Sequence, residues 1–204
     1  MSRSSDLLAP ARALLASRLS SDSLAHSERV ATSAVALARR FGVDEAEAEL
    51  AGLLHDYARE ETEERLLALS EELRVPVTTF EREHPSLLHA RVGAALVRRD
   101  LPETGESVLS AIEVHTVGAL PMSPLDEIVY LADMVESGRD FAGVDELRSA
   151  CRTLPLSECF RLGYGRSVRY VLEQGRPLHP ITSAVGAAIE RETGRALFDT
   201  AAMA

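Results

Sequence analysis

The chain contains no lysine and no asparagine, so all 22 of its basic residues are arginine. A coding bias across a genome produces that pattern, and arginine abundance therefore says nothing about phosphate binding; only the position of an arginine does. Cysteine is scarce as well. Cys151 and Cys159 are the only two, they form no CxxC pair, and no apolar signal segment stands at the N-terminus, which together predict a soluble protein of the reducing cytoplasm. Long apolar runs are also lacking: stretches such as 93–97 and 183–189 are far too short to cross a bilayer of ~30 Å, and no membrane is expected. There is no basic cluster either. With a formal net charge of -10 and a pI near 5.1, the molecule repels nucleic acid and anionic membrane at long range. An acidic protein still binds phosphates where divalent cations and a few placed arginines reverse the local field in one cleft.

What is present is an ordinary globular balance. The 204 residues include 46% hydrophobic and 26% charged side chains, enough for a sizeable core and without the charge blocks of a disordered chain. One domain over residues 1–204 is expected, its core at about 24–188, with flanking helices at both ends. No segment alternates apolar and polar residues over a convincing length, and there is no internal repeat, so the fold class is all-α, a helical bundle. Periodicity and cap residues predict helices over residues 6–19, 22–40, 45–57, 60–72, 87–99, 103–114, 125–135, 144–151, 156–174 and 179–198. The third is apolar on most sides and suits a central, buried position.

Six histidines occur. His26, His55, His89, His115 and His179 fall at or near predicted helix ends, and His84 lies in a loop before Pro85. Asp56 follows His55, and Asp133 ends the otherwise apolar Tyr130-Leu131-Ala132-Asp133, where a carboxylate needs a partner. Adjacent helical residues point ~100° apart, so His55 and Asp56 do not chelate from one edge, but they can flank a cleft. His55 then binds one metal and Asp56 bridges it to a second; His26 and Asp133 complete the first site, His89 and His115 the second. Imidazole and carboxylate ligation without thiolate suits iron, manganese or zinc and argues against a structural zinc site. Two such ions activate water and polarise a phosphoryl oxygen, as hydrolysis of phosphate esters and anhydrides requires. Each residue alone has a plainer explanation. A histidine at a helix end is usually a cap or a core residue, and His84 fits that description, while Asp133 can simply pair with Arg139.

Order and context outweigh the plain readings. The series His26, His55-Asp56, His89, His115, Asp133 in an all-helical chain resembles the HD superfamily of metal-dependent phosphohydrolases. Further stretches resemble its YqeK family, the symmetrical bis(5'-nucleosyl)-tetraphosphatases: His26-Ser27-Glu28-Arg29-Val30, Ala51-Gly52-Leu53-Leu54-His55-Asp56-Tyr57-Ala58, His115-Thr116-Val117-Gly118, Gly138-Arg139-Asp140-Phe141 and Gly175-Arg176-Pro177-Leu178-His179-Pro180. The resemblance runs from about Leu24 to Ala188.

It implies an HD-domain bundle that hydrolyses diadenosine tetraphosphate to two ADP, with one or two iron ions, manganese or zinc being possible substitutes, and a homodimeric state. His26, His55, Asp56 and Asp133 would hold the core metal, and His89 and His115 a second metal or the phosphates. Arg59, Glu60, Thr116, Arg139, Arg176 and His179 would line the nucleotide site, with Asp56, Arg59 and His115 nearest the chemistry. Three positions depart from the family pattern: Arg59 replaces a usual lysine, Ala142 a common proline, and Ile181 a position that is often polar. Arginine at 59 keeps the charge but offers a planar fork in place of a compact ammonium.

Arg39, Arg40, Arg98, Arg99, Arg191 and Arg195 are expected on solvated helix faces, whereas Arg139, just past a glycine and six positions after Asp133, is expected beside the cleft. Phe141 and Tyr170 could stack on adenine, though core positions suit them as well. Other phosphoesters remain open as substrates: a deoxynucleotide, a mononucleotide or a cyclic dinucleotide. So does a helical module that binds metal or nucleotide without turnover, against which the surplus of ligands over the four of a closed site counts.

Overall fold

The computed structural model describes residues 3–197, which hold eleven α-helices and no strand. These are α1 (Arg3–Ala16), α2 (Ser21–Phe41), α3 (Glu45–Leu54), α4 (Glu63–Glu72), α5 (Thr79–Glu83), α6 (Leu88–Asp100), α7 (Glu106–Val114), α8 (Pro124–Val135), α9 (Val144–Thr153), α10 (Leu156–Glu173) and α11 (Pro180–Thr193), with a 3₁₀ turn at Pro85–Leu87 before α6. The all-α expectation holds.

Side-chain oxygens start most of the early helices. Ser20, Asp44 and Thr62 accept from the backbone N–H of Ser23, Glu47 and Arg65, and the pairs Thr78–Glu81 and Ser123–Asp126 form capping boxes at α5 and α8. Gly42, at φ 74°, ends α2 in the left-handed conformation that glycine adopts without strain. One apolar cluster extends from Leu7 to Leu197. At its centre α3 is buried from Ala48 through Leu54 apart from Glu49, between α1, α2, α7 and α8. Close approach makes this possible: a Cβ at Gly52 would stand 3.0 Å from the Ala31 Cα of α2.

Several boundaries differ from those expected. α3 stops at Leu54 and not near Tyr57, because the chain beyond it turns with tighter bonds, Tyr57 N–H to Leu54 O (3.0 Å) and Arg59 N–H to Asp56 O (2.9 Å). α4 and α7 each begin three residues later than expected, after caps at Thr62 and Gly105. α11 ends at Thr193, capped by Gly194 at φ 66°, and the expected terminus at Phe198 lies outside the described residues. No helix among the described residues is long and apolar enough to cross a membrane.

Candidate active site

Five elements converge on one buried cluster. His26 comes from the second turn of α2, His55 and Asp56 from the end of α3, His89 from the start of α6, His115 from the end of α7 and Asp133 from the last turn of α8. His55 is fully buried, and Asp56, His89 and His115 are 9%, 4% and 5% exposed.

Local backbone geometry sets three of the imidazoles. His55 and His115 are the residues at which α3 and α7 end, and each Nδ1 reaches back to the carbonyl three positions earlier, Gly52 O and Ile112 O, both at 2.8 Å. His89 makes the same contact to Ser86 O at 2.6 Å. A carbonyl oxygen only accepts, so Nδ1 carries a proton in all three and Nε2 is the nitrogen turned inward, free to ligate when the ring is neutral. His26 differs, its Nδ1 meeting Glu136 Oε1 at 3.2 Å.

The four inward nitrogens divide around Asp56. Its Oδ2 faces His55 Nε2 at 3.4 Å and His26 Nε2 at 3.9 Å, and its Oδ1 faces His89 Nε2 at 3.3 Å and His115 Nε2 at 3.6 Å. Asp133 Oδ1 adds to the first group, 3.0 Å from His26 Nε2 and 3.9 Å from His55 Nε2. The donor set fits divalent cations on three grounds. His55 Nε2 is buried without a hydrogen-bond partner. His89 Nε2 and His115 Nε2 stand 3.2 Å apart, a contact between lone pairs that only a proton or a cation relieves. Two sets of side chains, His26/His55/Asp56 and Asp56/His89/His115, bring candidate ligand atoms within 4.8 Å of one another.

The electrostatics point the same way. Burial would raise the Asp56 carboxyl, but His55, His115 and His89 hold it well below the usual carboxylate range. Burial is outweighed at Asp133 too, by the hydrogen bond from His26 and the charges of His55 and Arg139. Burial pushes the His55 imidazole down, yet Asp56 and then Asp133 raise it to about 9, whereas at His115 burial prevails over Asp56 and the imidazole moves down. Two ionised acids are thus sequestered beside several imidazoles, an arrangement that favours positive charge.

Above the cluster opens a cleft of about 360 Å³, where Arg59, Thr116 and Arg139 join the ligand candidates on the wall. Arg139 ion-pairs with Asp133 Oδ1, and its Nε donates to the Asp133 carbonyl at 2.8 Å. Thr116 also borders a second cavity of about 480 Å³, whose lining includes Phe80, His84, Tyr164, Arg176 and His179. His179 Nδ1 accepts from the Ile181 N–H at 3.2 Å, which puts its proton on Nε2, and that nitrogen is buried without a partner. It is a donor available to an acceptor atom of a ligand.

The structure therefore brings His26, Asp56, His89, His115, Asp133, Arg59, Thr116 and Arg139 together in one cleft, with His55 buried behind Asp56 and Arg176 and His179 in the adjoining cavity. Glu60 does not join them: its carboxylate accepts from the Ser20 N–H at 3.0 Å and from the Ser20 hydroxyl, serving the start of α2. Phe141 and Tyr170, 36% and 57% exposed, belong neither to the core nor to the lining of either cavity. His84 occupies the C-cap of α5, as its plain reading has it, and also lines the second cavity, its ring 4.6 Å from that of Phe80. Sequence reasoning missed Glu136 and Arg29, which back His26. Spacing was the available signal, because Arg29 lies three residues after His26 and Glu136 three after Asp133, on the same sides of their helices.

Residues 23–138 match the family model described as HD domain. The chain is 34% identical over 157 residues, 77% of its length and 83% of the relative's, to the symmetrical bis(5'-nucleosyl)-tetraphosphatase of Bacillus subtilis (strain 168). To the protein of the same name from Halalkalibacterium halodurans it is 36% identical over 161 residues, covering 78% of this chain and 84% of the other. Among solved structures it is similar to a predicted HD superfamily hydrolase involved in NAD metabolism from Clostridium acetobutylicum, with a TM-score of 0.81 and 32% identity over 85% of this chain and 92% of that one.

Proposed function

Because the chain belongs to the HD domain family, in the branch that holds the symmetrical bis(5'-nucleosyl)-tetraphosphatases, we propose that it hydrolyses diadenosine tetraphosphate at the central anhydride to give two ADP. The observation that carries this reading is Asp56, one buried carboxylate whose two oxygens each face a separate pair of imidazole nitrogens. His26, His55, Asp56 and Asp133 would hold one divalent cation, and His89 and His115 would hold a second or meet the phosphates. Bound there, the cation neutralises phosphate charge and activates water. Iron is the proposed metal, the cytoplasm the site of action and a homodimer the assembly.

The remaining work falls to the chain's own side chains. Arg59 and Arg139, both at the cleft wall, bind phosphoryl oxygens; Arg139 is held in place by Asp133 and so needs little reordering when substrate arrives. Thr116, which borders both cavities, marks where the phosphate chain passes from cleft to nucleoside pocket. His179 Nε2–H and Arg176 hold one nucleotide half there. Burial of His55, His89 and His115 excludes bulk water beneath the phosphates, strengthening each charge contact. An ADP phosphate leaves without much protonation, so no dedicated general acid is required.

Elemental analysis of the purified protein combined with product identification on diadenosine tetraphosphate tests the proposal. ADP as sole product is expected. ATP plus AMP would mean asymmetric cleavage, and absence of turnover by the metal-loaded protein would direct attention to another phosphoester; either outcome refutes it.

A further inference from the structure

We propose that Glu136 is a positioning residue: its carboxylate fixes the tautomer of His26 and, through the turn that follows, holds Arg139 against Asp133. The inference rests on the metal-binding reading of His26.

His26 cannot orient itself as the other three imidazoles do. It sits inside α2, where backbone carbonyls already serve the helix, so its Nδ1 needs a partner from elsewhere in the fold. Glu136 supplies it from the C-terminal end of α8, with Oε1 at 3.2 Å. The other oxygen, Oε2, accepts from Arg29 Nε at 2.6 Å and from the Gly138 backbone N–H at 2.6 Å.

Glu136 is only 2% exposed, and a carboxylate so deeply buried persists only when its charge and its lone pairs are matched. Arg29 matches the charge from the same face of α2 as His26. An ionised carboxylate donates nothing, so His26 Nδ1 must be the donor. Nε2 is thereby the nitrogen directed at Asp133 Oδ1, 3.0 Å away, and the one left to ligate when a cation takes the place of its proton. The same residue closes the turn to the arginine, since Arg139 N–H donates to Glu136 O at 3.0 Å. The packing is tight: a Cβ on Gly138 would stand 2.8 Å from Arg29 Nε.

Isosteric replacement separates this role from mere packing. In Glu136→Gln, Arg29 and Gly138 both donate and so demand the amide oxygen, which turns the amide NH₂ towards His26 Nδ1–H, donor against donor. Glu136→Ala leaves room for a water to accept that proton. Competition titrations with Zn²⁺ should show about 10- to 100-fold weaker binding for Glu136→Gln and a smaller loss for Glu136→Ala.

Melting temperatures should rank the other way, the alanine variant being the less stable because it strands Arg29 beside a cavity. Long-range ¹H–¹⁵N spectra of the Zn²⁺-saturated proteins should show His26 protonated at Nδ1 and ligating through Nε2 in the wild type, with that signature lost in Glu136→Gln. Unchanged affinity and spectrum in Glu136→Gln, or an alanine variant that is worse in both affinity and stability, would overturn the role of Glu136 alone. A wild type in which His26 does not ligate Zn²⁺ would overturn the metal reading beneath it.

Discussion

Replacing Arg139 with alanine removes a cation whose side chain is 41% exposed over the cleft while it pairs with Asp133. Two effects compete. Loss of one charge-assisted hydrogen bond to a phosphate costs about 1.5–3 kcal/mol, which at about 1.4 kcal/mol per decade weakens ADP binding roughly 10- to 150-fold. Loss of the ion pair also removes one of the cations beside Asp133. Asp133 Oδ1 still lies 3.0 Å from His26 Nε2, and a divalent ion meets a more negative site once the arginine is gone. Cation affinity is therefore held or raised, by no more than about 1 kcal/mol because the guanidinium is largely solvated.

Calorimetric titration of ADP into Mn²⁺-loaded wild type and variant, with bound manganese counted by elemental analysis, distinguishes the two effects. A 10- to 150-fold weaker Kd at full manganese occupancy is expected. An ADP Kd within about threefold of wild type, or manganese lost in parallel, refutes the assignment of Arg139 to the phosphates. Arg139→Lys, which keeps the charge without the planar fork, should recover part of the affinity.

Asp56→Ala takes away the carboxylate common to both ligand sets, so metal-dependent turnover should fall by roughly 1,000-fold or more and bound manganese should drop in elemental analysis; an active, fully loaded variant would contradict the arrangement. Gly52→Ala should lower the urea midpoint by an amount worth about 1–3 kcal/mol, because its Cβ would meet the Ala31 Cα at 3.0 Å and the Ala34 Cβ at 3.1 Å. A gain in stability, as helix propensity alone favours by about 1 kcal/mol, would show that α2 and α3 can separate without cost. Burial, with Glu192 and Asp126 adding to it, pushes the part-buried Glu127 carboxyl up to about 7. The folded state thus holds that proton more tightly than the unfolded chain, and ionising the group costs stability as pH rises from its ordinary value through 7. Glu127→Gln should stabilise the protein by about 1 kcal/mol at pH 8 after allowance for solvent screening, or about 2–4 °C in Tm, and by little at pH 5. Equal effects at both pH values would exclude ionisation as the cause.

The ligand order was legible because its members sit where helices begin and end, and helix ends carry local marks. Ser20, Asp44 and Ser123 announce α2, α3 and α8, and the glycine at 42 closes α2. The end of α3 was not legible to the residue, since no glycine or proline accompanies the shift to tighter bonding after Leu54. α5 was missed because five residues cannot display a period; its only mark was Thr78 with Glu81 three positions later. Glu60, placed at the nucleotide site by the family resemblance, is engaged by the open N–H groups at the start of α2. Glu136 escaped because its partner His26 lies 110 positions away in the chain, and its spacing of three from Asp133 was the sole local hint.

Three of the cluster's imidazoles are aimed by peptide carbonyls a few atoms back along their own strand of chain. Each carries its alignment with it, much as a tool is shipped in its own jig, and owes nothing to remote scaffolding. Stripping with a chelator should leave those three rings poised for prompt reloading without refolding. A designer transplanting this centre into another bundle would need to copy short terminal segments for them, and would have to rebuild long-range support for His26 alone.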